Sequence, residues 1–403
     1  MESYYRACVA SHSSSPNGPF ARLAALGTKK LAIIGAVVVV VIVGAVLAVA
    51  LPSSKKTPPK SGTTTTSAPT SSSTSTSTSG APHLTSKVCP LTDTPAPGGV
   101  VPKRPALAIK IGNEPEGARP QSGLNEADIV YDTPAEGGVM RYEAIYQCHE
   151  ASFVEPIRSV RWVDWHILAM YRNLPLLVHA GGIAPDLAAL DAERFVKDVN
   201  LIGNSPEASA NVNADLGQRS SARQAPDNLY VNTASVWAAY KNEKQAPEPV
   251  FSYTKSLPSS AVAASSVQIN YSYDTDPIWT WSAADDLWLH SYAGAGADID
   301  ALTNKQVSTN NIVVQIVKYV LGPYAESTGG SGDVESIMTG VGSGYIFRNG
   351  KEIPVTWHRP TLSSETTFTD AAGQKVGLTP GRTFVEIVLD VTAAEKGGIA
   401  ITK

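Results

Sequence analysis

The stretch VRWVDWHILAMYRNLPLLVHAGG, residues 160–182, carries the pattern that decides the fold class. Its first half repeats apolar residues at the spacing of one helix face, at Val160, Val163, Ile167 and Met170. Three apolar residues at 176–178 then form a short strand, which ends at a histidine and two glycines. A further helix fits residues 185–195, where a proline occupies the first turn. Helices on both sides of a strand predict an α+β or α/β domain.

Patterns before and after this stretch extend the same domain. Short apolar runs at 106–109 and 129–131 indicate strands, and residues 235–242 indicate a third helix. Residues 139–147 follow a turn at Glu136-Gly137-Gly138 and alternate between two faces. One face carries Met140, Tyr142, Ala144 and Tyr146, and the other carries Arg141 and Glu143. This period of two predicts a hairpin.

The pattern changes after Pro258, where short β-type runs are divided by turns. These runs lie at 267–269, 279–281, 288–290, 312–321, 345–347 and 384–389. Asn349-Gly350 between two of them is a strong hairpin signal. The sequence therefore predicts an α+β or α/β domain at 89–257 and a mainly β domain at 258–403.

Residues 31–51 form an uncharged apolar run of twenty-one residues, long enough to cross a bilayer as a helix. A buried core helix would rarely run so far without a polar side chain. Ala48-Val49-Ala50 has the form that signal peptidase cleaves, so a retained anchor and a removed signal both stay open, and the anchor is our prediction. A cleaved chain would be secreted.

Flanking charges do not orient this segment, because three basic residues precede it and three follow it. Sixteen of the nineteen residues at 61–79 are Ser or Thr, which is typical of an extracellular spacer and cannot bury a core. We therefore predict a cytoplasmic tail at 1–30, a single transmembrane helix at 31–51 and a spacer at 52–88. The folded domains are then extracytoplasmic.

Charge and cysteine content agree with export. Beyond residue 60 the chain holds twenty-five Lys/Arg and thirty-five Asp/Glu, a net charge of −10, which disfavours nucleic acid as a partner. Cys89 and Cys148 both fall in the exported part, whereas Cys8 falls in the tail. An oxidising compartment favours a Cys89–Cys148 disulfide, with two buried thiols as the alternative.

A group of arginines is the strongest candidate for a binding site. The predicted anion-binding residues lie between positions 119 and 182 and are Arg119, Arg141, Arg158, Arg161, His179, Glu136, Gly181 and Gly182. Arginine holds carboxylate or phosphate through two parallel hydrogen bonds. The alternative is internal pairing, since Arg161 lies one helical turn from Asp164 and Arg141 shares a strand face with Glu143.

His179 has two interpretations. It ends a strand ahead of two glycines, which is where ligands bind in an open parallel sheet, and glycines let a ligand approach backbone N–H groups. The alternative is a structural histidine followed by a turn. A second basic cluster at 219–228 places Arg219 and Arg223 on one face if helical, and a solvated loop is equally compatible.

Signatures of known enzyme classes are missing from the sequence. There is no Gly-x-Ser-x-Gly motif, and His149-Glu150 lacks the second histidine of a zinc helix because Phe153 holds that position. Asn349-Gly350-Lys351 would need a glycine at Tyr345 to form a phosphate loop. We predict no metal and no cofactor.

Ordered blocks along the exported part resemble the YerB-like family of bacterial envelope lipoproteins. The blocks include RPQSGL at 119–124, ADIVY at 127–131, PIRSVR at 156–161, HAGG at 179–182, NIVVQ at 311–315 and PGRT at 380–383. The resemblance implies two paired domains of unknown function outside the membrane. This chain departs from it by an apolar helix in place of a lipidated cysteine and by Asp227, where a histidine is expected.

Two functional hypotheses follow. The first is a non-catalytic envelope protein that binds a cell-wall component such as peptidoglycan, or a wall-synthesis partner. The second is an exported hydrolase or transferase with His179 as base and Glu136 or Asp128 as acid or orienting group. A structural spacer without a ligand would instead have its arginines paired internally.

Overall fold

The computed structural model describes residues 87–202, 213–271, 276–322, 332–390 and 398–402. The predicted membrane helix at 31–51, the tail and nearly all of the spacer lie outside these ranges. Within them, no helix combines the length and apolar character needed to span a bilayer. The described residues form mostly strands, with few helices.

The described ranges contain three α-helices and four short 3₁₀ turns. The helices are α1 (Trp162–Leu168), α2 (Ala184–Ala192) and α3 (Thr233–Ala239). The 3₁₀ turns lie at Pro97–Gly99, Leu124–Glu126, Glu136–Gly138 and Ala214–Leu216.

The strands divide between the two halves of the chain. The first half contains β1 (Leu107–Gly112), β2 (Ile129–Pro134), β3 (Met140–Tyr146), β4 (Leu176–His179), β5 (Lys197–Asn200), β6 (Gln218–Arg219) and β7 (Leu229–Tyr230). The second half contains β8 (Val262–Ala263), β9 (Ser266–Asn270), β10 (Pro277–Ser282), β11 (Leu287–Tyr292), β12 (Gly296–Ala297), β13 (Ile299–Asp300), β14 (Lys305–Gln306), β15 (Ser308–Thr309), β16 (Asn311–Val317), β17 (Tyr319–Leu321), β18 (Val334–Ser336), β19 (Gly340–Arg348), β20 (Lys351–Arg359), β21 (Thr367–Thr369), β22 (Thr383–Leu389) and β23 (Gly398–Thr402).

One eleven-stranded sheet contains strands from both halves. Its order is β21-β20-β19-β16-β22-β2-β3-β1-β4-β5, with β8 beside β20. The halves join where β2 pairs in parallel with β22, which places Asp132 opposite Glu386. Strands from both sides of the expected boundary at 257/258 therefore share one hydrogen-bonded ladder.

Layers cover both faces of this sheet. One face packs on α1 and α2 through residues such as Trp165 and Leu190. The opposite face packs on α3 and on a six-stranded sheet of β9 to β12, β15 and β23, with Trp279 and Trp288 in the interface. Coverage on both sides buries the central strands almost throughout and places the core on either side of one sheet.

Most predicted elements are present with shifted ends. The helix expected at 185–195 is α2 and ends at Ala192, and the helix expected at 235–242 is α3, which begins earlier because the Asn232 side chain caps it. The Asn349-Gly350 hairpin joins β19 to β20. The run expected at 312–321 breaks after Val317, and β17 then pairs with β18 instead of continuing. The predicted Cys89–Cys148 disulfide is confirmed.

Strand β3 forms the predicted hairpin with β2, and its polar face is buried as well. Arg141 is 4% exposed and Glu143 is fully buried, because α1 covers that face. Burial, reinforced by Asp164 and opposed by Lys110, raises the pKa of the Glu143 carboxyl well above its usual range. Burial therefore favours the protonated form of Glu143.

A buried lysine joins the sheet to α1. Lys110 Nζ, on β1, donates to Asp164 Oδ1 at 2.6 Å and to Thr133 Oγ1 at 2.7 Å. The other oxygen of Asp164 accepts the backbone N–H of Arg161 at 2.7 Å and so caps the helix. This one ion pair fixes where α1 begins relative to β1 and β2.

We expect Lys110→Met to lower the free energy of unfolding by about 3–5 kcal/mol, because it leaves a buried carboxylate without its cation. Adding Asp164→Asn, which keeps a capping oxygen, should recover part of the loss. Urea denaturation of the full chain followed by circular dichroism measures both.

Lys197→Met on β5 is the matched control, since Lys197 is an exposed lysine of the same sheet, and it should change stability little. If the double variant is as unstable as Lys110→Met or worse, the buried pair is not the source of the loss.

Candidate functional site

The carboxyl ends of parallel strands meet at one edge of the central sheet. Strands β1, β2, β4 and β5 run in the same direction, because β1 and β2 both pair antiparallel with β3 and because β4 and β5 continue from β1 in parallel. Polar side chains follow these strand ends. This edge is where ligands bind in open α/β sheets.

Two of the predicted arginines share one carboxylate at this edge. Glu114 Oε1 lies 2.9 Å from Arg158 Nη2 and 3.5 Å from Arg141 Nη2. Burial works to raise the pKa of Glu114, but the charges of the two arginines outweigh it and the pKa is lowered. Gly112 permits this contact, since a Cβ there would lie 2.7 Å from the Arg158 side chain.

Arg161 has a carboxylate from a different loop. Its Nε lies 2.7 and 2.8 Å from the two oxygens of Glu136, in the turn after β2. Burial opposes the effect, but Arg161 keeps the pKa of Glu136 below its usual value. The sequence placed Asp164 as the internal partner of Arg161, and Asp164 instead binds Lys110 and the backbone of Arg161. Arg158 and Arg161 therefore each form an ion pair with a carboxylate from a different loop.

Asp186, in the first turn of α2, faces the same edge and is 1% exposed. Burial is the main cause that raises its pKa to about 7. Arg161 opposes the shift, and the negative charges of Asp333, Asp164 and Glu136 reinforce it. Asp186 was not among the predicted site residues, because only folding brings these acids together.

His179 is fully buried and has two protein partners. Nδ1 lies 2.8 Å from the Gly181 carbonyl oxygen, and Nε2 lies 2.7 Å from Asp198 Oδ1 on β5. Its carboxylate partner is therefore Asp198, not Glu136 or Asp128. Asp128 instead accepts from the backbone N–H groups of Gln147 and Cys148 and contacts His149 Nδ1 at 2.6 Å.

The two glycines after His179 pack against the chain at 158–160. The Gly181 carbonyl accepts the backbone N–H of Val160 at 2.9 Å, and the Gly181 N–H donates to Asn200 Oδ1 at 3.0 Å. A Cβ on Gly182 would lie 2.9 Å from Val160 Cγ1. Close packing of one chain segment on another accounts for Gly182, and a positive φ of 66° accounts for Gly181.

A groove of about 750 Å³ lies beside the arginines and contains Arg119. Its lining includes Gly117, Arg119, Pro120, Ser122, Phe153, Glu155, Ser220, Ala222, Arg223, Asp227, Ala301 and Leu302. Residues of the second half close one side of it. The groove therefore exists only once the two halves are joined.

Arg119 is held rigidly at the groove. Nε donates to Asn113 Oδ1 at 3.1 Å and Nη2 donates to the Asn113 carbonyl at 3.0 Å. The guanidinium carbon lies 3.4 Å from the ring centroid of Tyr292, whose hydroxyl also donates to Asn113 Oδ1. For Nη1, the described residues provide no hydrogen-bond partner. This nitrogen of Arg119 is therefore available to a ligand.

The second basic cluster forms the opposite wall of the groove, and it is not helical: it consists of β6 and a turn. Arg223 Nε donates to Glu155 Oε2 at 2.8 Å, and its other nitrogens donate to the Gly117 and Pro120 carbonyls. Asp227 lines the groove and lies 3.4 Å from Arg158 Nη1. Asp227 thus joins the groove to the arginines at the sheet edge.

In the part of the chain that the structure describes, no group of three or more His, Cys, Asp or Glu side chains is arranged to hold a metal ion. The arrangement that folding produces is a polar groove with one accessible guanidinium. The sequence predicted Arg119, Arg158 and Arg161 as site residues. It did not predict Glu114, Asp186 and Asp198, because their partners lie 12 or more residues away along the chain.

Comparison with known proteins yields two family models and one relative. Residues 91–246 match the model described as protein of unknown function (DUF3048) N-terminal domain, and residues 267–385 match its C-terminal domain. A Bacillus subtilis (strain 168) protein named as lipoprotein YerB is 25% identical over 319 residues, 76% of this chain and 87% of the relative.

A solved structure has the same fold. The crystal structure of YerB protein from Bacillus subtilis aligns with a TM-score of 0.61 at 23% identity, over 78% of this chain and 99% of the solved chain. At this identity the likeness concerns the fold alone.

We expect Asp186→Asn to stabilise the protein by up to about 4 kcal/mol at pH 8 and to change stability little at pH 4. A pKa raised from 3.8 to about 7 means that the folded state binds more protons than the unfolded state between these values. Stability of the natural protein therefore falls as pH rises through this window, and asparagine removes that fall.

Urea denaturation of the full chain at a series of pH values measures the effect. Asp191→Asn, an exposed position on α2, is the matched control and should follow the natural protein at every pH. A constant difference between Asp186→Asn and the natural protein from pH 4 to 8 would contradict the assignment.

Proposed function

The chain belongs to the family of paired DUF3048 domains, and from this we propose that it is a membrane-anchored extracytoplasmic protein that binds a component of the bacterial cell wall through an anionic group of that component. The binding is non-catalytic, and the site is the groove around Arg119. The observation that carries the proposal is a guanidinium that lines the groove, is fixed by Asn113 and Tyr292, and has one nitrogen without a hydrogen-bond partner among the described residues.

Several features support a position outside the membrane. The relative in Bacillus subtilis is named a lipoprotein. The apolar run at 31–51 supplies an anchor, the Ser/Thr tract supplies a spacer, and the disulfide fits an oxidising compartment. A protein helix would here replace the lipid of the relative, or cleavage after it would release the chain.

The arginines differ in what they can offer a ligand. Arg141 and Arg161 are 4% and 2% exposed and are engaged by carboxylates, so they position the edge of the sheet. Arg158 is 18% exposed and reaches the groove through Asp227. Arg119 has no carboxylate partner in the described residues. We therefore assign the direct contact to Arg119, with Arg158 as the second cation.

The contacts that His179 and Asp128 make within the protein favour binding over catalysis. Both ring nitrogens of His179 contact protein atoms, and Asp128 accepts two backbone N–H groups. A general base needs a free nitrogen within reach of the substrate. The hydrolase or transferase alternative would require these contacts to open.

We expect Arg119→Gln to weaken retention on purified, protein-free cell walls about tenfold, since a hydrogen bond from a charged donor contributes about 1.5–3 kcal/mol. Glutamine removes the charge but keeps a polar side chain. Co-sedimentation of the full chain in mild detergent with cell walls, over a range of wall concentrations, measures the affinity.

Arg172→Gln is the matched control. Arg172 is 55% exposed and is paired with Glu248 away from the groove, so its loss should leave retention unchanged. The proposal is wrong if the natural chain does not sediment with the walls, or if both substitutions reduce retention equally.

A further inference from the structure

The groove at Arg119 continues into a second cavity. This cavity has a volume of about 420 Å³ and is lined by Glu126, Glu150, Ala151, Ser152, Asn232, Ala234, Leu302 and Thr303. Leu302 lines both cavities, and Ser152 of the second adjoins Phe153 of the first. The two cavities therefore adjoin at Leu302 and at residues 152–153, and together they are called the cleft, with one cavity at each end.

The two ends of this cleft carry opposite charge. Arg119 lines one end, and its Nη1 has no hydrogen-bond partner among the described residues. At the other end Glu126 lies half-buried, and its carboxylate has no hydrogen-bond partner among the described residues. Arg382 and His149 both sense the Glu126 charge, but Arg382 donates its hydrogen bonds to Asn125 and Ser308, and His149 contacts Asp128.

The other charged groups along the cleft are already paired. Glu150 is bound by Arg104, and Glu155 is bound by Arg223. Arg158 and Asp227 face each other at 3.4 Å. Each end of the cleft therefore contributes one ionic group that the described protein leaves without a hydrogen-bonded counter-ion.

The wall between these ends is partly apolar. Phe153 stacks on Tyr230 with 4.2 Å between ring centroids, and Leu302 with Ala301 lies opposite. An apolar wall between two charges suits the short side chains and Cα atoms of a peptide.

We infer that the cleft takes a short peptide that carries a carboxylate at one end and a primary ammonium at the other. Arg119 binds the carboxylate, Glu126 binds the ammonium, and Leu302 packs between them. This rests on the proposed function and names its ligand as the peptide part of the wall. The exported chain carries a net charge of −10, which repels a polyanion but not a ligand whose own charges cancel.

The test uses the full chain in mild detergent and isothermal titration calorimetry. The probe is Nα-acetyl-L-lysyl-D-alanyl-D-alanine, which has one ammonium and one carboxylate. Three analogues accompany it: the Nα,Nε-diacetyl peptide, the C-terminal amide and the all-L peptide. Removing either charge should weaken binding by the natural chain about tenfold or more.

Variants assign each charge to its residue. Arg119→Gln should bind the acid and the amide equally, and Glu126→Gln should bind the acetylated and free amines equally. Arg119→Lys, which keeps the charge, should recover part of the preference for the acid. Arg172→Gln should behave as the natural chain, and circular dichroism of every variant confirms that each is folded.

Each outcome has a defined meaning. Equal affinity for the free, acetylated and amidated peptides, or none for any of them, overturns the inference. If the natural chain still sediments with cell walls in that case, the proposed function stands and only the ligand class is wrong; if it does not, both fail. Equal binding of the all-L peptide would keep the charge pattern but overturn the assignment of the ligand to the wall peptide.

Discussion

Parallel pairing between β2 and β22 is the constraint on which the rest of the structure depends. It connects the first half of the chain to the second in one ladder and puts Asp132 directly beside Glu386. Both side chains are buried. Burial, reinforced by Glu386, raises the pKa of Asp132 well above its usual range, and burial raises that of Glu386 against the charge of His290 and the hydrogen bonds of Trp279 and Tyr271. Burial of two neighbouring carboxyl groups therefore favours the protonated form at this junction.

The site follows from that junction. Once β2 and β22 are joined, the segment at 301–303 lies against the loops at 117–122 and 151–155, and the cleft closes. The buried chain Tyr142, Tyr292 and Asn113 then links the sheet to Arg119 through hydrogen bonds of 2.7 and 2.8 Å. Most arginines at the sheet edge are neutralised by carboxylates from other loops, and Arg119 differs because an aromatic ring and an amide hold it.

Local sequence patterns predicted the elements well where neighbouring residues alone specify the backbone conformation. The Asn349-Gly350 turn, with both residues at positive φ, joins β19 to β20 because few other residues adopt that backbone. Alternation in β3 identified the hairpin but not that its polar face is covered, since the covering helix α1 lies downstream. For His179 the sequence identified the strand end, and only the parallel register with β5 placed Asp198 beside it.

The sequence by itself determined the type and approximate position of the main elements, the apolar run at 31–51, the Cys89–Cys148 pair and the blocks shared with the DUF3048 family. These properties depend on neighbouring residues, where side-chain period and turn chemistry act directly. Tertiary structure alone decided which carboxylate neutralises which arginine, that Arg119 keeps one nitrogen free of the described protein, and that Leu302 lines both the cavity at Arg119 and the cavity at Glu126. Such contacts join residues far apart in the chain, as Arg382 and Asn125 show at a separation of 257, and no local pattern specifies contacts at that range.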